Sequence, residues 1–354
     1  MIEIAARGIT ARFAPELGRL DAFEISDEGH MIAPLHHAPW VGTNEEMPED
    51  AAPLMAGLGG DFFCAPFASS EEDSPLHGWP ANVPWDIAEA TSQSIRAVCS
   101  RSVYGATLIK ELTVLDDHPF VYQRHIFIGG NGRVTAANHG NVSVPNGAHI
   151  RTSAKSHWET PATQQETDPA KGRSSIACPA SSRDPTAFPT ASGNTVDLTT
   201  YPWFERSEDF VIGVEAKDSP LGWTAVTRST EGDLYLSLRH PRQVPMTMLW
   251  HSNGGRDYAP WSGRHTGCLG VEEGAADAML GLSTDADLAG PGALTLSPFG
   301  TVEMRHVTGA ISWRKGSPIA KISVDPKSVI IEGEDGSIRH IPLHTDFLRL
   351  NTHD

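Results

Sequence analysis

Three side chains stand out by their type and by their neighbours. His77 lies in "SPLHGWPANVPW", residues 74–85, a stretch with three prolines and one glycine. Pro75, Pro80 and Pro84 each lack a backbone N–H, so neither a helix nor a central strand runs through them. This histidine therefore belongs to a stiff, irregular loop. His139 lies in "ANHGNVSVP", at the end of the strand-like run "RVTAAN" and directly before a glycine. Strand ends and the loops they feed are common places for sites. Glu272 lies in "CLGVEE". Consecutive strand side chains point to opposite faces, so Glu272 shares a face with Gly270, and Glu273 one with Leu269 and Val271. A glycine beside an acid leaves room for a ligand. Imidazole and carboxylate together can move protons near neutrality, which is what general acid–base catalysis needs. The chain has 16 histidines. Most must be ordinary polar side chains, so position has to single these out.

A second group consists of aromatic and polar side chains. Trp79, Trp85, Trp158, Trp203, Trp223, Trp250 and Trp261 fall in or beside the expected loops and strand ends. A flat apolar ring with one N–H suits the face of a sugar ring, where C–H patches alternate with hydroxyls. Asn82, His251, Arg256, Arg264 and His265 add groups able to bind hydroxyls, and several crowd "LWHSNGGRDYAPWSGRHTGCLGVEE" just ahead of Glu272. Glu205, Glu208 and Asp209 form an acidic stretch that offers a second carboxylate.

Other chemistries find no support. The net charge is −17 and no basic run interrupts it, so phosphate-backbone binding to nucleic acid is not expected, nor is attraction to an acidic membrane surface. No apolar run reaches the roughly 18 residues of a membrane span. The N-terminal "MIEIAARGIT" lacks the basic and apolar regions of a signal peptide. Cys64, Cys99, Cys178 and Cys268 are far apart, with no C-x-x-C pair. That spacing predicts neither a zinc knuckle nor a disulfide framework, and a reduced cytoplasmic protein is the expectation. G-x-S-x-G and the phosphate-binding loop are missing, and no βαβ unit surrounds "GLGGD". Adjacent His36 and His37 would point to opposite sides of an extended chain, a poor chelating geometry. No metal and no cofactor are expected.

The elements that must position these residues read as strands. "FVYQRHIFI" alternates as a half-buried strand should. "FVIGVEA", "WTAVT", "LYLSL", "MTMLW", "ALTLS", "TVEMRHV" and "AKISV" follow, and "NG" at residues 131–132 and "DG" at 335–336 are hairpin signals. A short helix is expected over Gly274–Leu282 from its alanine, methionine and leucine content. Many short strands with almost no helix predict an all-β sandwich or barrel. Residues 151–209 depart from this rhythm and are rich in Ser, Thr and Pro. They read either as an ordered excursion with short strands or as a binding lid. The C-terminal "SVDPKSVIIEGEDGSIRHIPLHTDF" reads as two more edge strands. With no repeat and no sharp composition shift, residues 1–354 are expected to form a single domain.

These residues, taken together, resemble the aldose 1-epimerases, the galactose mutarotase-like proteins. "HGWPANVPW" is similar to the H-G-aromatic-x-x-N-x-x-W pattern of the family's distant branches, "NHG" to its strand-end Asn-His pair, and "LGVEE" to the apolar residue and late catalytic glutamate. "VPMTMLW" is similar to the strand that precedes that glutamate. The order is right, and the resemblance covers roughly residues 10 to 310. It departs from the better-known members at Gly140 and Asn141, where they carry aromatic residues. It also departs at "GLGGDFFCAPF", which offers Asp61 in place of an arginine.

The resemblance implies a β-supersandwich with few short helices, a carbohydrate site on its concave face, and a cofactor-free isomerase interconverting α and β anomers through the open-chain aldehyde. Glu272 would take the anomeric proton, His139 would protonate the ring oxygen, and His77 would hold the sugar. Glu272 is expected to be ionised at neutral pH, and the carboxylate to raise the value of His139. Trp79, Asn82, Asp61, Asp209, Trp250, His251 and Arg264 are the expected substrate contacts. The partner is a small-molecule sugar or a sugar phosphate, the latter if Arg256, Arg264 and His265 form a basic cluster. A non-catalytic carbohydrate-binding protein and a lyase or hydrolase on the same scaffold remain alternatives. Monomer and homodimer are both open.

Overall fold

A computed structural model of the chain describes residues 1–68, 74–164, 166–168 and 170–349. Two large antiparallel sheets face each other. The first has eleven strands. Its centre runs Asp61–Cys64, Ala136–Ser143, Cys268–Ala275, Met246–Asn253, Ser207–Glu215. The second has nine, with Asp233–Arg239, Thr301–Ser312 and Phe120–Gly129 at its centre. Helical structure among the described residues is limited to short 3-10 turns. This is the all-β architecture that the strand spacing predicts.

Alternation along the central strands sorts side chains into layers. Phe63, Leu249, Leu269 and Val271 point into the core shared by the two sheets. Phe62, Phe210, Met248 and Trp250 point the other way and join Trp40, Leu54 and Phe67 in a second apolar layer beneath the loops. A third layer lies under the C-terminal sheet of Ile319–Val324, Ser328–Gly333 and Ile338–Pro342. That sheet corrects the expectation of two edge strands. Its strands pair with one another, and Ile322, Val329 and Ile331 pack against Trp223 and Leu234.

Other expectations shift as well. "DG" at 335–336 does join two paired strands, but after "NG" at 131–132 the chain pairs with Leu294–Leu296 instead of folding back. No helix forms over Gly274–Leu282. The Glu272 strand continues to Ala275, and only a 3-10 turn follows at Asp277–Met279. The flanking glycines explain this, since Gly274 and Gly281 both disfavour a helix. The described residues of the 151–209 segment form an ordered excursion. Its Ile176, Phe188, Leu198 and Trp203 are buried in the main core, and Asp209 Oδ1 accepts from Ser174 Oγ, Ser175 N and Ile176 N at 2.8, 2.8 and 3.0 Å.

Between the sheets lies a buried charged cluster. Arg239 meets Glu215 and Glu273, the latter at 2.9 Å, and Lys155 Nζ lies 2.6 Å from Glu215 Oε1. Thr224, Ser237 and Thr247 donate to the Glu273 carboxylate. Arg239→Met would leave two carboxylates sharing one lysine in a dry core. Urea denaturation is expected to show a loss of about 3–5 kcal/mol, against less than about 1 kcal/mol for Lys321→Ala at an exposed pair.

Candidate active site

The face of the first sheet that carries Phe62 also carries His139 and Glu272. Register places His139 opposite Glu272 on one side and opposite Phe62 on the other. Both chemical residues thus sit in the middle of strands, not at their ends. Mid-strand backbone is held on both sides, which fixes their geometry more tightly than a loop would. His139 Nε2 lies 3.1 Å from Glu272 Oε1, and the two side chains are only 4% and 2% exposed. Phe62 stacks on the His139 ring at 4.4 Å between centroids, and the edge of Trp250 approaches it at 5.8 Å.

Gly270 has a different use from the one its spacing suggests. A Cβ there would lie 2.8 Å from Glu272 Oε1 and 2.9 Å from Trp250 Cβ. The space left by the missing side chain is filled by the glutamate and tryptophan themselves. Glu273 turns away into the buried charged cluster, as strand alternation requires.

The proline-rich loop delivers His77. Its backbone is left-handed, with φ +65° at His77 and +74° at Gly78, a costly conformation for a non-glycine residue. A Cβ on Gly78 would lie 2.1 Å from the Ala65 carbonyl oxygen. Asn82 holds the turn. Its Nδ2 donates to the Leu76 and Gly78 carbonyls at 2.8 and 2.7 Å, and its Oδ1 accepts from Leu54 N at 3.0 Å. The His77 ring then lies against Phe67 at 5.3 Å and perpendicular to His139 at 5.2 Å.

These groups line a cavity of about 100 Å³. Leu54, Met55, Leu58, Phe210, Trp261 and Met279 supply most of the remaining wall, and Arg256 is the cation in it. The Arg256 guanidinium lies over Trp261 at 4.4 Å. Glu208 stands behind the wall, accepting from Trp250 Nε1 at 2.9 Å and Ser252 Oγ at 2.7 Å.

Burial dominates the electrostatics. It pushes the Glu272 carboxyl well above the usual range and the His139 imidazole well below it. The nearby His77 pushes His139 the same way. His77 itself falls to about 4, through desolvation first and the charge of Arg256 second. Glu208 rises to about 7 because it is buried. The expected ionised Glu272 beside a raised His139 is therefore corrected. An apolar pocket penalises both charges, and the pair holds one proton between a neutral carboxyl and a neutral ring.

The expected substrate contacts divide. His77, His139, Glu272 and Trp250 reach the cavity. Trp79 instead lies beneath Arg101, 4.8 Å from its guanidinium. Asn82 acts through the loop. Asp61 points between the sheets to Gln123 and Asn138, and Asp209 anchors the excursion. His251 stacks on Trp203 at 5.1 Å and accepts its backbone N–H. Arg264 pairs with Glu45 and with the Pro260 carbonyl. Simple alternation accounts for Asp61 and His251, which lie one residue from Phe62, the ring stacked on His139, and from the cavity residue Trp250. Leu54, Met55, Leu58 and Met279 carry no sequence signal of a site, because their role depends on tertiary placement.

Two predictions follow from this geometry. Asn82→Ala removes three hydrogen bonds from the His77 turn. It should cost about 1–3 kcal/mol and speed amide exchange over residues 76–82. The second concerns pH. A carboxyl with a raised folded value binds its proton more tightly when folded. Its contribution is complete below about pH 4 and fades as the pH climbs through the folded value. Glu272→Gln lacks that fade, so its stability relative to the parent should improve between pH 4 and pH 8. A relative loss over that range would mean that the pair carries its charges.

Comparison with known proteins places the fold. No family model and no curated protein matches the chain. Solved structures do. Slr1438 from Synechocystis sp. PCC 6803 superposes with a TM-score of 0.58 at 10% identity, over 88% of this chain and 95% of that one. A galactose mutarotase-like protein from Lactobacillus casei gives 0.52 at 11%, over 88% and 99%. A galactose mutarotase related enzyme from Lactobacillus acidophilus gives 0.52 at 10%, over 88% and 97%. At such identities the likeness speaks for the fold, and the chain has the galactose mutarotase-like β-sandwich fold.

Proposed function

We propose that this chain is a mutarotase-like isomerase that opens and recloses the ring of a small sugar at the His77–His139–Glu272 cavity. The observation that carries this reading is the buried 3.1 Å contact between His139 Nε2 and Glu272 Oε1. Ring opening removes a proton from the anomeric hydroxyl and adds one to the ring oxygen. A pair that holds one proton can do both if the sugar bridges it. Glu272 as carboxylate takes the anomeric proton while protonated His139 supplies the ring oxygen. C1–C2 rotation and reclosure then reverse the flow. His77, perpendicular to His139, would hold an adjacent oxygen, and the face of Trp250 would cover C–H groups. The neutral pair would become the charged one as sugar hydroxyls replace apolar surroundings with hydrogen bonds.

The cavity favours a free sugar over a sugar phosphate. Arg256 is the cation in its lining, while Arg264 is engaged with Glu45 and His265 lies behind Trp250. A hydrolase reading would need a second carboxylate in the cavity wall. Of the acidic stretch, Asp209 is committed to residues 174–176, and Glu208 lies outside that wall.

Magnetisation-exchange NMR on a panel of aldoses and hexose 6-phosphates tests this reading. Anomer interconversion should accelerate for at least one free sugar, and Glu272→Gln or His139→Asn should lower that rate at least ~100-fold with the fold intact. Acceleration that survives in both variants would remove the assignment. Sugar binding without acceleration would favour a binding protein on the same scaffold.

A further inference from the structure

On the far side of Trp250 from the proposed chemistry lies a second cluster. His36, His265 and Cys268 each place a ligand atom so that all three lie within 4.8 Å of one another. They come from distant parts of the chain, which is why spacing conceals them. His37 turns outward to Asp21 at 3.2 Å. Its neighbour His36 turns inward and packs edge-on against His265 at 4.9 Å. The alternation that forbids His36 and His37 from chelating together is what brings His36 to His265. The backbone is clamped to the central sheet there. His36 N donates to Asn141 O at 2.8 Å, and His36 O accepts from Gly60 N at 2.9 Å.

Both imidazoles offer a lone pair. His36 Nε2 and His265 Nε2 are buried and have no hydrogen-bond partner. His265 is 1% exposed. Its Nδ1 meets Ser252 Oγ at 2.7 Å, and Ser252 donates its own proton to Glu208 Oε1 at 2.7 Å. With Glu208 as carboxylate the serine accepts from His265, so Nδ1 carries the ring proton and Nε2 is bare. This relay of histidine, hydroxyl and carboxylate is the outer support that metal-bound histidines commonly have. Cys268 is fully buried, and its thiol donates a long hydrogen bond to Asn141 Oδ1 at 3.9 Å.

We propose that His36, His265 and Cys268 form a binding site for a thiophilic metal ion, Zn²⁺ by preference. Two imidazoles and one thiolate suit zinc and exclude the oxygen-seeking Mg²⁺ and Ca²⁺. Zn–N bonds of about 2.0–2.1 Å and Zn–S bonds of about 2.3 Å set the donor atoms of a tetrahedron roughly 3.3–3.6 Å apart. The cluster needs to contract by little more than about 1 Å, within the reach of side-chain torsions. On binding, the Cys268 S–H bond breaks, an S–Zn bond forms, and one proton leaves to solvent. With two charges from the ion and one from the thiolate, the bound site would carry one net positive charge. His36 is half-buried and offers the way in. A metal here would fix His265, which stacks on Trp250 at 5.5 Å, and so stiffen the back wall of the cavity. The site stands independently of the proposed sugar chemistry.

Co²⁺, as a spectroscopic stand-in for zinc, tests the site in the full-length, chelator-stripped protein. The expected result is a stoichiometric thiolate-to-cobalt charge-transfer band in the near ultraviolet, displaced by Zn²⁺. Cys268→Ser should abolish the band with the circular dichroism spectrum unchanged, and His36→Gln should weaken Co²⁺ affinity at least about tenfold. Zn²⁺ should also raise the melting temperature of the parent, but not that of Cys268→Ser. Absence of the band in the parent, or its survival in Cys268→Ser, overturns the proposal. Should Cys268→Ser fail to fold, an unchanged affinity in His36→Gln overturns it instead.

Discussion

The two-residue period of a β-strand is the constraint on which this molecule depends. Five central strands carry polar side chains on both faces, and each face uses them differently. On one face Asp61, Asn138, Glu273 and His251 enter hydrogen-bond and ion-pair networks between the sheets. On the other, His139, Glu272 and Trp250 converge on the cavity, with Phe62 stacked on His139. A register slip of one residue would exchange the two sets and place a buried arginine opposite the wrong acid. The Arg239 cluster thus fixes register as well as charge. It pins Glu273 inward, and Glu272 is then committed to the cavity.

The second constraint is the dryness of that cavity. Its wall is largely aliphatic and aromatic, so neither member of the His139–Glu272 pair gains from ionising alone. What the pocket preserves is a single proton with two places to sit. Such a pair is poised rather than charged, and in the proposed mechanism the hydrogen bonds a ligand brings would set the direction of transfer. His77 cannot substitute for either partner. It comes from a loop, held by Asn82 and by a left-handed turn that only Gly78 can complete.

Much of this was legible in the sequence, for identifiable reasons. The strands announce themselves because alternation is a local signal, as at Phe120–Gly129 and Thr301–Ser312. Gly270 and Glu272 share a face by the same rule, and the prolines around His77 exclude every regular element. What could not be read is what depends on contacts distant in the chain. Asp61 and His251 are the right residue types one position out of phase. Arg264 is drawn away by Glu45. The helix expected at 274–282 follows from composition, and the strand pairing of Gly274 with Ala137 and Met246 overrides it. His36 and His265 meet only because two loops fold over the same end of the sheet.

The size of the cavity adds a last step. About 100 Å³ is well below the roughly 300–1,000 Å³ of typical small-molecule sites. Under the proposed reading, a sugar ring would need part of the wall to move. The sheet side of the wall cannot, since His139 and Glu272 are paired along both edges of their strands. The opposite side is the cap of Leu54, Met55 and Leu58, a 3-10 turn and its exit, where Met55 O accepts from Trp40 Nε1 at 2.6 Å and Leu58 O from Ala38 N at 2.8 Å; its link to the His77 loop is the bond from Leu54 N to Asn82 Oδ1. Breaking that bond would loosen the cap and the His77 turn together. The cap and the placement of His77 are therefore linked through Asn82, whereas the His139–Glu272 pair beneath is held by its strands.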